Sequence, residues 1–540
     1  MASQAGLGDR LSDHRVRHLV VLVGSNPLPN FVAARLLLEP GGHLSLVHSE
    51  SGVMVDGAER GTREVAERIK DVLRQPTGGR TAGQPFYQLS PDEVDERVHL
   101  VPFKDPSNSV DIARAVGKAM ADGRERDPDG TVGLHYIGGT KPMSVYAVLK
   151  AFVDGNGVSF SHLDARKLEM VVDAADPFKD RLDPVYVGDL DVVNREDLLR
   201  LHGWKREPQY YTAGSVEHDA LVRVARVYLA PFMRLMEADG QDGEGERVRF
   251  RHSHAWGYQM WHVKNGLSTW SGYWSGPDPN PVRERTRFRD GRPASTLYIP
   301  ALGSASRSVP DWVRGAENRH LVAGAEADVS DALGEVQHAL VEEVRALLPT
   351  DQEATDGQDR LWLVRAAQAL GFHKRNREED VWVGDLLRWL RGSWLESLAL
   401  DALVRAEDDL GLHGVAWSVE SRPDIQALRT DDGTDDYDKF ELDVMALRGY
   451  QLFAVSCTTS QGKSDVKKKL FEVLHRARQI GGDEARAAVV SAVRNPAAVQ
   501  NELYATYGLG PQVRVFGLHD LPHLGTKLPE WIRDASRIGT

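Results

Sequence analysis

Two stretches of the 540-residue sequence hold side chains whose types and spacing suit chemistry. In LHYIGGTKPMSVYAVLKAF, residues 134 to 152, a strand-like apolar run breaks at Gly138-Gly139-Thr140-Lys141 and then enters a helical pattern. A strand that hands over to a helix through glycines leaves backbone N–H groups free at the helix start, and these favour a phosphate or another anion. In KFELDVMAL, residues 439 to 447, Glu441 and Asp443 stand at i and i+2 of a strand, which points both to one face. The acidic run 431 to 438 precedes them, and adjacent like charge is costly unless cations or water screen it. Lys467, Lys468 and Lys469 then open a helix, where cations are mildly unfavourable and ask for a compensating partner such as a phosphate.

The elements that must position these residues follow from periodicity. Over the first 200 residues short β-branched runs alternate with helical patterns, which predicts a mostly parallel sheet covered by helices. Strands are expected in HLVVLVG, HLSLVHSE, RVHLVPFKD and LHYIGG, and a terminal hairpin in VSFSHLDARKLEMVV. The loops VGSNPLPN, VHSES, PFKDPSNS and IGGTKPM then converge at the carboxyl edge, where open α/β sheets bind ligands. Turn chemistry alone also favours Gly, Asn, Pro and Ser, and no GxGxxG follows the first strand.

The middle of the chain is less legible. VEHDALVRVARVYLAPFMRLME and DVSDALGEVQHALVEEVRALL read as helices. Between them Val248, Phe250, His252, His254 and Trp256 alternate like a strand. His252, His254 and His262 lack Asp or Cys companions at metal spacing, which leaves a structural β-insert or an aromatic and basic grip on single-stranded nucleic acid. PTDQEATDGQD has linker composition and sets a boundary near residues 350 to 360. Beyond it the pattern predicts a helix over 382 to 411 with a Gly-Ser break, the hairpin KFELDVMAL and YQLFAVSCT, a helix over 464 to 482 and a strand in ARAAVVSAV.

Composition bounds the class. A hydrophobic share of 41% with 27% charged residues describes a globular chain of roughly two to four domains. The single cysteine, Cys457, excludes an intrachain disulfide and a thiolate-rich zinc site. No run approaches the ~18 apolar residues of a membrane helix and the N-terminus is polar, so a cytoplasmic protein without membrane contact is expected. The net charge of -13 argues against a broad nucleic-acid surface and leaves room for a local basic channel.

VGSNPLPN, LVHSE, GGTKPMSVYA, HLDARKLEMVV and DLDVVNREDLLRLHGW resemble CARF domains, the CRISPR-associated Rossmann-like sensors of cyclic oligoadenylate, over about residues 15 to 205. The likeness is greatest to sensors fused to a nuclease. It implies messenger contacts from Gly24, Ser25, Asn26, Pro27, Asn30, Ser49, Glu50, Gly138, Gly139, Thr140, Lys141 and Met143. Residues 385 to 500 resemble PD-(D/E)xK nucleases, restriction-endonuclease-like α/β domains. That resemblance implies Mg²⁺ or Mn²⁺ held by Glu396, Glu441 and Asp443, with a lysine stabilising charge on the scissile phosphate of DNA or RNA. Where that family has Glu-x-Lys this chain has Ser456-Cys457-Thr458. Either Glu441 takes the acid's role while Lys469, Lys463 or Lys468 supplies the cation, Lys469 first and Lys463 second, or the domain is a scaffold without cleavage.

The expected organisation is a CARF domain at 1 to 205, an irregular α+β region at 206 to 355 and a nuclease-like domain at 356 to 540. The expected activity is a type III CRISPR nuclease switched on by a cyclic oligoadenylate, with the four-membered ring across a homodimer, since a two-fold ring suits a two-fold interface. An inactive messenger-binding protein and a ring nuclease that degrades the messenger are the alternatives. The helix after the glycine turn carries Met143, Tyr146, Ala147 and Lys150 on a face that is either core or dimer interface.

Overall fold

The computed structural model describes residues 11–51, 53–55, 58–74, 91–154, 157–164, 167–173, 184–190, 192–206, 213–238, 342–344, 346–347, 360–374, 382, 385–386, 389–423 and 440–536. His252, His254 and His262, most of the helix expected at 328 to 348, the linker and the acidic run 431 to 438 lie outside the described residues.

The chain forms two mixed α/β sheets. The first unit runs β1 (Val16–Leu22), α1 (Leu28–Leu37), β2 (Leu38–Ser49), β3 (Val53–Val55), β4 (Ala58–Arg60), α2 (Arg63–Arg74), α3 (Pro91–Arg97), β5 (Val98–Phe103), α4 (Ser109–Arg126), β6 (Val132–His135), α5 (Lys141–Val153), β7 (Val158–Asp164), β8 (Glu169–Asp173), β9 (Val185–Tyr186) and α6 (Arg195–Leu201). Its seven-stranded sheet has the order β5-β2-β1-β6-β7-β8-β9, parallel from β5 to β7 and antiparallel at β8 and β9. β1 is VRHLVVL, buried at every residue but one, as a strand covered on both faces requires.

The second unit is built from β10 (Trp204–Arg206), α7 (Val216–Ala238), α8 (Arg360–Ala369), α9 (Trp394–Arg405), α10 (Glu407–Leu410), β11 (Leu412–Pro423), β12 (Phe440–Arg448), β13 (Gln451–Thr458), α11 (Lys463–Gly481), β14 (Arg486–Ser491), α12 (Pro496–Tyr507), β15 (Val513–Phe516) and α13 (Leu524–Ala535). Its sheet has the order β10-β11-β12-β13-β14-β15, antiparallel up to β13 and parallel after it. The Gly392-Ser393 break expected from sequence becomes a π-helical turn over Trp389–Ser393 that feeds α9. β11 is an addition to the sequence reading, which passes from helix to acidic loop. Its alternation of Val415, Trp417 and Val419 is short and flanked by left-handed Gly411 and Gly414.

α7 falls in the region read as a middle segment, yet it shares a core with α9: Tyr228 stacks on Trp394 at 4.7 Å and Phe232 meets it edge-on at 5.1 Å. A second apolar core is continuous between the units, joining Leu198 and Leu199 of α6 to Leu447, Leu452 and Ala454 of the β12–β13 hairpin. Among the described residues no helix is long and apolar enough to cross a membrane.

Candidate functional site

Three acids meet at the middle of the second sheet. Glu396, on the first turn of α9, accepts a 2.6 Å hydrogen bond from Trp417 Nε1 of β11. Burial, then the neighbouring charges of Asp443 and Glu441, push its carboxyl well above the usual range. Asp443 Oδ2 accepts from Ser456 Oγ at 2.8 Å and from the Cys457 backbone N–H at 2.7 Å. Burial is also the largest cause that lifts Asp443 to about 6, with Glu441 adding to it and the two hydrogen bonds and Lys469 opposing. Glu441 is exposed and accepts from Ser418 Oγ. Directly across the ladder from it stands another carboxylate, Glu420.

The backbone explains why these side chains gather. Ser418 sits at φ +47, a left-handed conformation that non-glycine residues rarely adopt. The flanking pairs Trp417↔Val444 and Val419↔Leu442 bracket Ser418 and Asp443. On either side of this point the strand changes face: Leu442 packs in one core with Met445, while Val444 packs in the other with Ala446. The plain i, i+2 alternation expected for Glu441 and Asp443 therefore slips at the site. Both acids still act electrostatically on Glu396 of the overlying helix.

The lysines divide. Val466 and Leu470 are buried, and Lys469, one residue from Leu470, acts electrostatically on Asp443 and on Cys457. Its own close ion pair is with Glu472, at 3.8 Å. Lys467 pairs with Glu502 of α12 at 2.7 Å, and Lys463 acts electrostatically on the same Glu502. Lys468 is exposed. Burial and the two nearby carboxylates push the Cys457 thiol well up, so its backbone N–H, rather than its sulfur, serves Asp443.

No group of three or more His, Cys, Asp or Glu side chains at metal-holding spacing occurs among the described residues. The donor set still suits a hard divalent cation. Its oxygens are carboxylate, and Asp443 Oδ1 and one oxygen of Glu441 are left outside the hydrogen bonds above, while Glu396 accepts from the Ser393 side chain as well as from Trp417. Mg²⁺ commonly takes one or two carboxylates and completes its shell with waters and substrate phosphates.

The first unit gathers the other predicted residues at the carboxyl edge of its parallel strands. The turns after β1 and β6 touch: a Cβ on Gly24 would lie 1.8 Å from the Gly138 carbonyl oxygen, and one on Gly138 would lie 2.1 Å from the Leu22 carbonyl oxygen. Glycine is needed at both for this approach. Thr140 caps α5, accepting from the Met143 backbone N–H at 3.4 Å, and Lys141 is exposed at the helix start. Ser25 and Glu50 are exposed, and the Glu50 N–H bonds the Phe103 carbonyl at 2.8 Å, tying two more loops together.

Other predicted residues face inward. Asn30 is buried with its amide on the Leu22 carbonyl at 2.9 Å; Met143 is buried beneath Gly139; Ser49 exchanges hydrogen bonds with Thr62; Pro27 starts α1. Asn26 turns toward His202 and Gly482 of the second unit. On α5, Met143 and Ala147 belong to the core and Lys150 pairs with Asp154, while Val145, Tyr146, Leu149, Phe152 and Val153 are exposed. Sequence reasoning missed Trp417 and Ser418, whose signal was the short alternation around them.

No protein-family model and no curated protein matches the sequence. Among solved structures, the crystal structure of protein VC1899 from Vibrio cholerae is similar over 96% of this chain and 99% of that one, with a TM-score of 0.53 at 14% identity. The structure of Can2 from Sulfobacillus thermosulfidooxidans, in complex with cyclic tetra-adenylate, matches over 97% of this chain and 99% of that one, with a TM-score of 0.46 at 12% identity. What the chain shares with VC1899 over nearly its whole length is the fold.

Proposed function

We propose that the protein is a metal-dependent nuclease switched on by a cyclic oligoadenylate, acting on DNA or RNA in type III CRISPR defence. The observation that carries this reading is the meeting of Glu396, Asp443 and Glu441, in which Asp443 and Glu441 raise the pKa of Glu396 and Glu441 that of Asp443, with Lys469 acting on Asp443. Asp443 and Glu396 would hold Mg²⁺ or Mn²⁺, with exposed Glu441 at the entrance. When bound, the ion polarises the scissile phosphate and activates a water. Ser456 and the Cys457 N–H orient Asp443, Trp417 fixes Glu396, and Lys469 stabilises negative charge on the phosphate. In the first unit Gly138 to Lys141, with Gly24 and Ser25, would hold the messenger's phosphates through backbone N–H groups and the Lys141 ammonium.

A homodimer through α5 completes the reading. Its exposed Val145, Leu149 and Phe152 form an apolar face beside the messenger turn, and a ring of four nucleotides offers the same half to each protomer. The messenger drives activation by binding the closed state more tightly.

The test is cleavage of supercoiled plasmid and single-stranded RNA with Mg²⁺ or Mn²⁺, with and without cyclic tetra-adenylate. Cleavage that requires both ion and messenger supports the reading, and full activity in Asp443→Ala overturns it. A second reading, messenger binding without cleavage, draws on Ser456-Cys457-Thr458 in place of an acid and a lysine. Calorimetric binding with no cleavage under any condition would select it.

A further inference from the structure

Two of the elements that carry the acid site end on the first unit. β12, which holds Asp443, finishes at a tight turn where Arg448 Nη2 donates to Asp189 Oδ1 at 2.8 Å. The next residue, Gly449, sits at φ +56, and a Cβ on it would lie 2.2 Å from the Gly188 carbonyl oxygen. α11, which holds Lys469, finishes at Gly482, at φ +68. A Cβ there would lie 2.3 Å from Asn26 Nδ2 and 2.7 Å from Glu484 Oε2.

Asn26 follows Gly24 and Ser25 in the first loop. Its Oδ1 accepts from the Leu28 N–H at 3.0 Å and stands 3.4 Å from His202 Nε2, which leaves its amide nitrogen toward Gly482. Glu484 is buried, and its Oε2 carries no hydrogen bond among the described residues. A buried acceptor without a donor bears a desolvation penalty that a nearby donor removes. An amide donor and an orphaned acceptor thus lie beside one glycine, a pair that a small shift makes or breaks.

We propose that Asn26 couples the two sites: with messenger against Gly24 and Ser25, its amide donates to Glu484 Oε2 and draws the end of α11 toward the first unit, setting Lys469 against Asp443. α11 is a continuous helix, so a displacement at Gly482 is carried to Lys469, about 20 Å away at ~1.5 Å per residue. Asn26 is in this account a positioning residue, and the inference rests on the messenger-gated nuclease reading.

The experiment uses the full chain with cyclic tetra-adenylate as probe, in wild type, Asn26→Ala, Glu484→Ala and Glu484→Gln. Calorimetry gives messenger affinity, and cleavage of single-stranded RNA with Mn²⁺ gives stimulation. Glu484→Ala should bind within about fivefold of wild type, and both alanine variants should lose at least tenfold of the stimulation, the size of effect one buried hydrogen bond has on a two-state equilibrium. Glu484→Gln keeps an acceptor oxygen and should retain stimulation. Amide exchange across Lys463–Gly481 should slow with messenger in wild type and not in the alanine variants, a readout independent of cleavage. If one alanine variant fails to fold, the other carries the test. Full stimulation and full exchange protection in the alanine variants would overturn the coupling alone, as would lost messenger binding in a folded Glu484→Ala. A wild type that binds no messenger would overturn the nuclease reading and the coupling with it.

Discussion

The first sheet buries histidines where the second buries carboxylic acids. Burial pushes His18 and His202 down to about 4 and His135 down to about 3. Burial pushes Asp443 up to about 6, Glu484 up to about 7 and Glu396 well above its ordinary value. The cause is the same, a charged form deprived of water, but the environments differ. His18 has the Ser45 hydroxyl, His135 the Ser161 hydroxyl and His202 the Leu198 carbonyl, each a neutral companion for a neutral ring. Asp443 and Glu441 raise the pKa of Glu396, and Glu441 raises that of Asp443, an arrangement that stability alone does not favour. The histidines read as structure and the acids as a site.

The largest effect that would break this comparison is at Asp443. Asp443→Ala should reduce messenger-dependent cleavage by at least about a thousandfold while calorimetric messenger binding persists. Asp443→Asn keeps an oxygen for Ser456 and Cys457 but removes the buried charge, so without metal at pH 8 it should gain on the order of 1–3 kcal/mol of stability while losing cleavage. A fall in thermal midpoint for Asp443→Asn would make this acid structural.

Acid should separate the units next. A histidine depressed on folding binds fewer protons than the unfolded chain, so its stability is present above pH 6.5 and is lost as pH falls toward 4, at about 1.4 kcal/mol per pH unit for each buried ring. A carboxyl raised on folding gives the reverse: its contribution is whole below about pH 4 and is lost as pH rises through 6 to 7. Hydrogen exchange between pH 7 and 4.5 should therefore show β1 and β6 opening before β12 and β13. The opposite order would break the comparison.

The messenger turn is expected to respond on a smaller scale. Lys141→Ala should weaken binding by ~1.5–3 kcal/mol, roughly ten- to a hundredfold, with folding intact. Unchanged calorimetric affinity would remove the turn from the binding site. Lys469→Ala should lower cleavage about tenfold and Lys463→Ala by less than about twofold, since Lys469 acts on Asp443 and Lys463 on Glu502. Equal losses in the two would erase the distinction drawn between them. Last, Phe152→Glu should weaken self-association by about 1–2 kcal/mol, seen by light scattering as a protomer fraction at micromolar concentration. An unaltered dimer would place the interface off α5.

Part of this was legible in the sequence, and particular residues show why. The runs HLVVLV, RVHLVPF and ARAAVVSAV are local patterns, and a strand buried on both faces needs little more than its own neighbours in sequence to be recognised. The Gly138-Gly139 turn was readable because only glycine allows the backbone of Gly24 to come so close. Glu396 and Asp443 were named as acids of one site, but on a family resemblance.

By itself, then, the sequence determined the α/β alternation, the turn and the residue types, because periodicity and backbone freedom are properties of adjacent residues. Only the tertiary structure decided that Ser418 turns left-handed opposite Asp443, that Trp417 holds Glu396, and that Asn26 turns from the loop after β1 toward Gly482. Each of these pairs residues far apart in the chain, and such contacts are set by the packing of whole sheets and helices against one another, which no local spacing encodes.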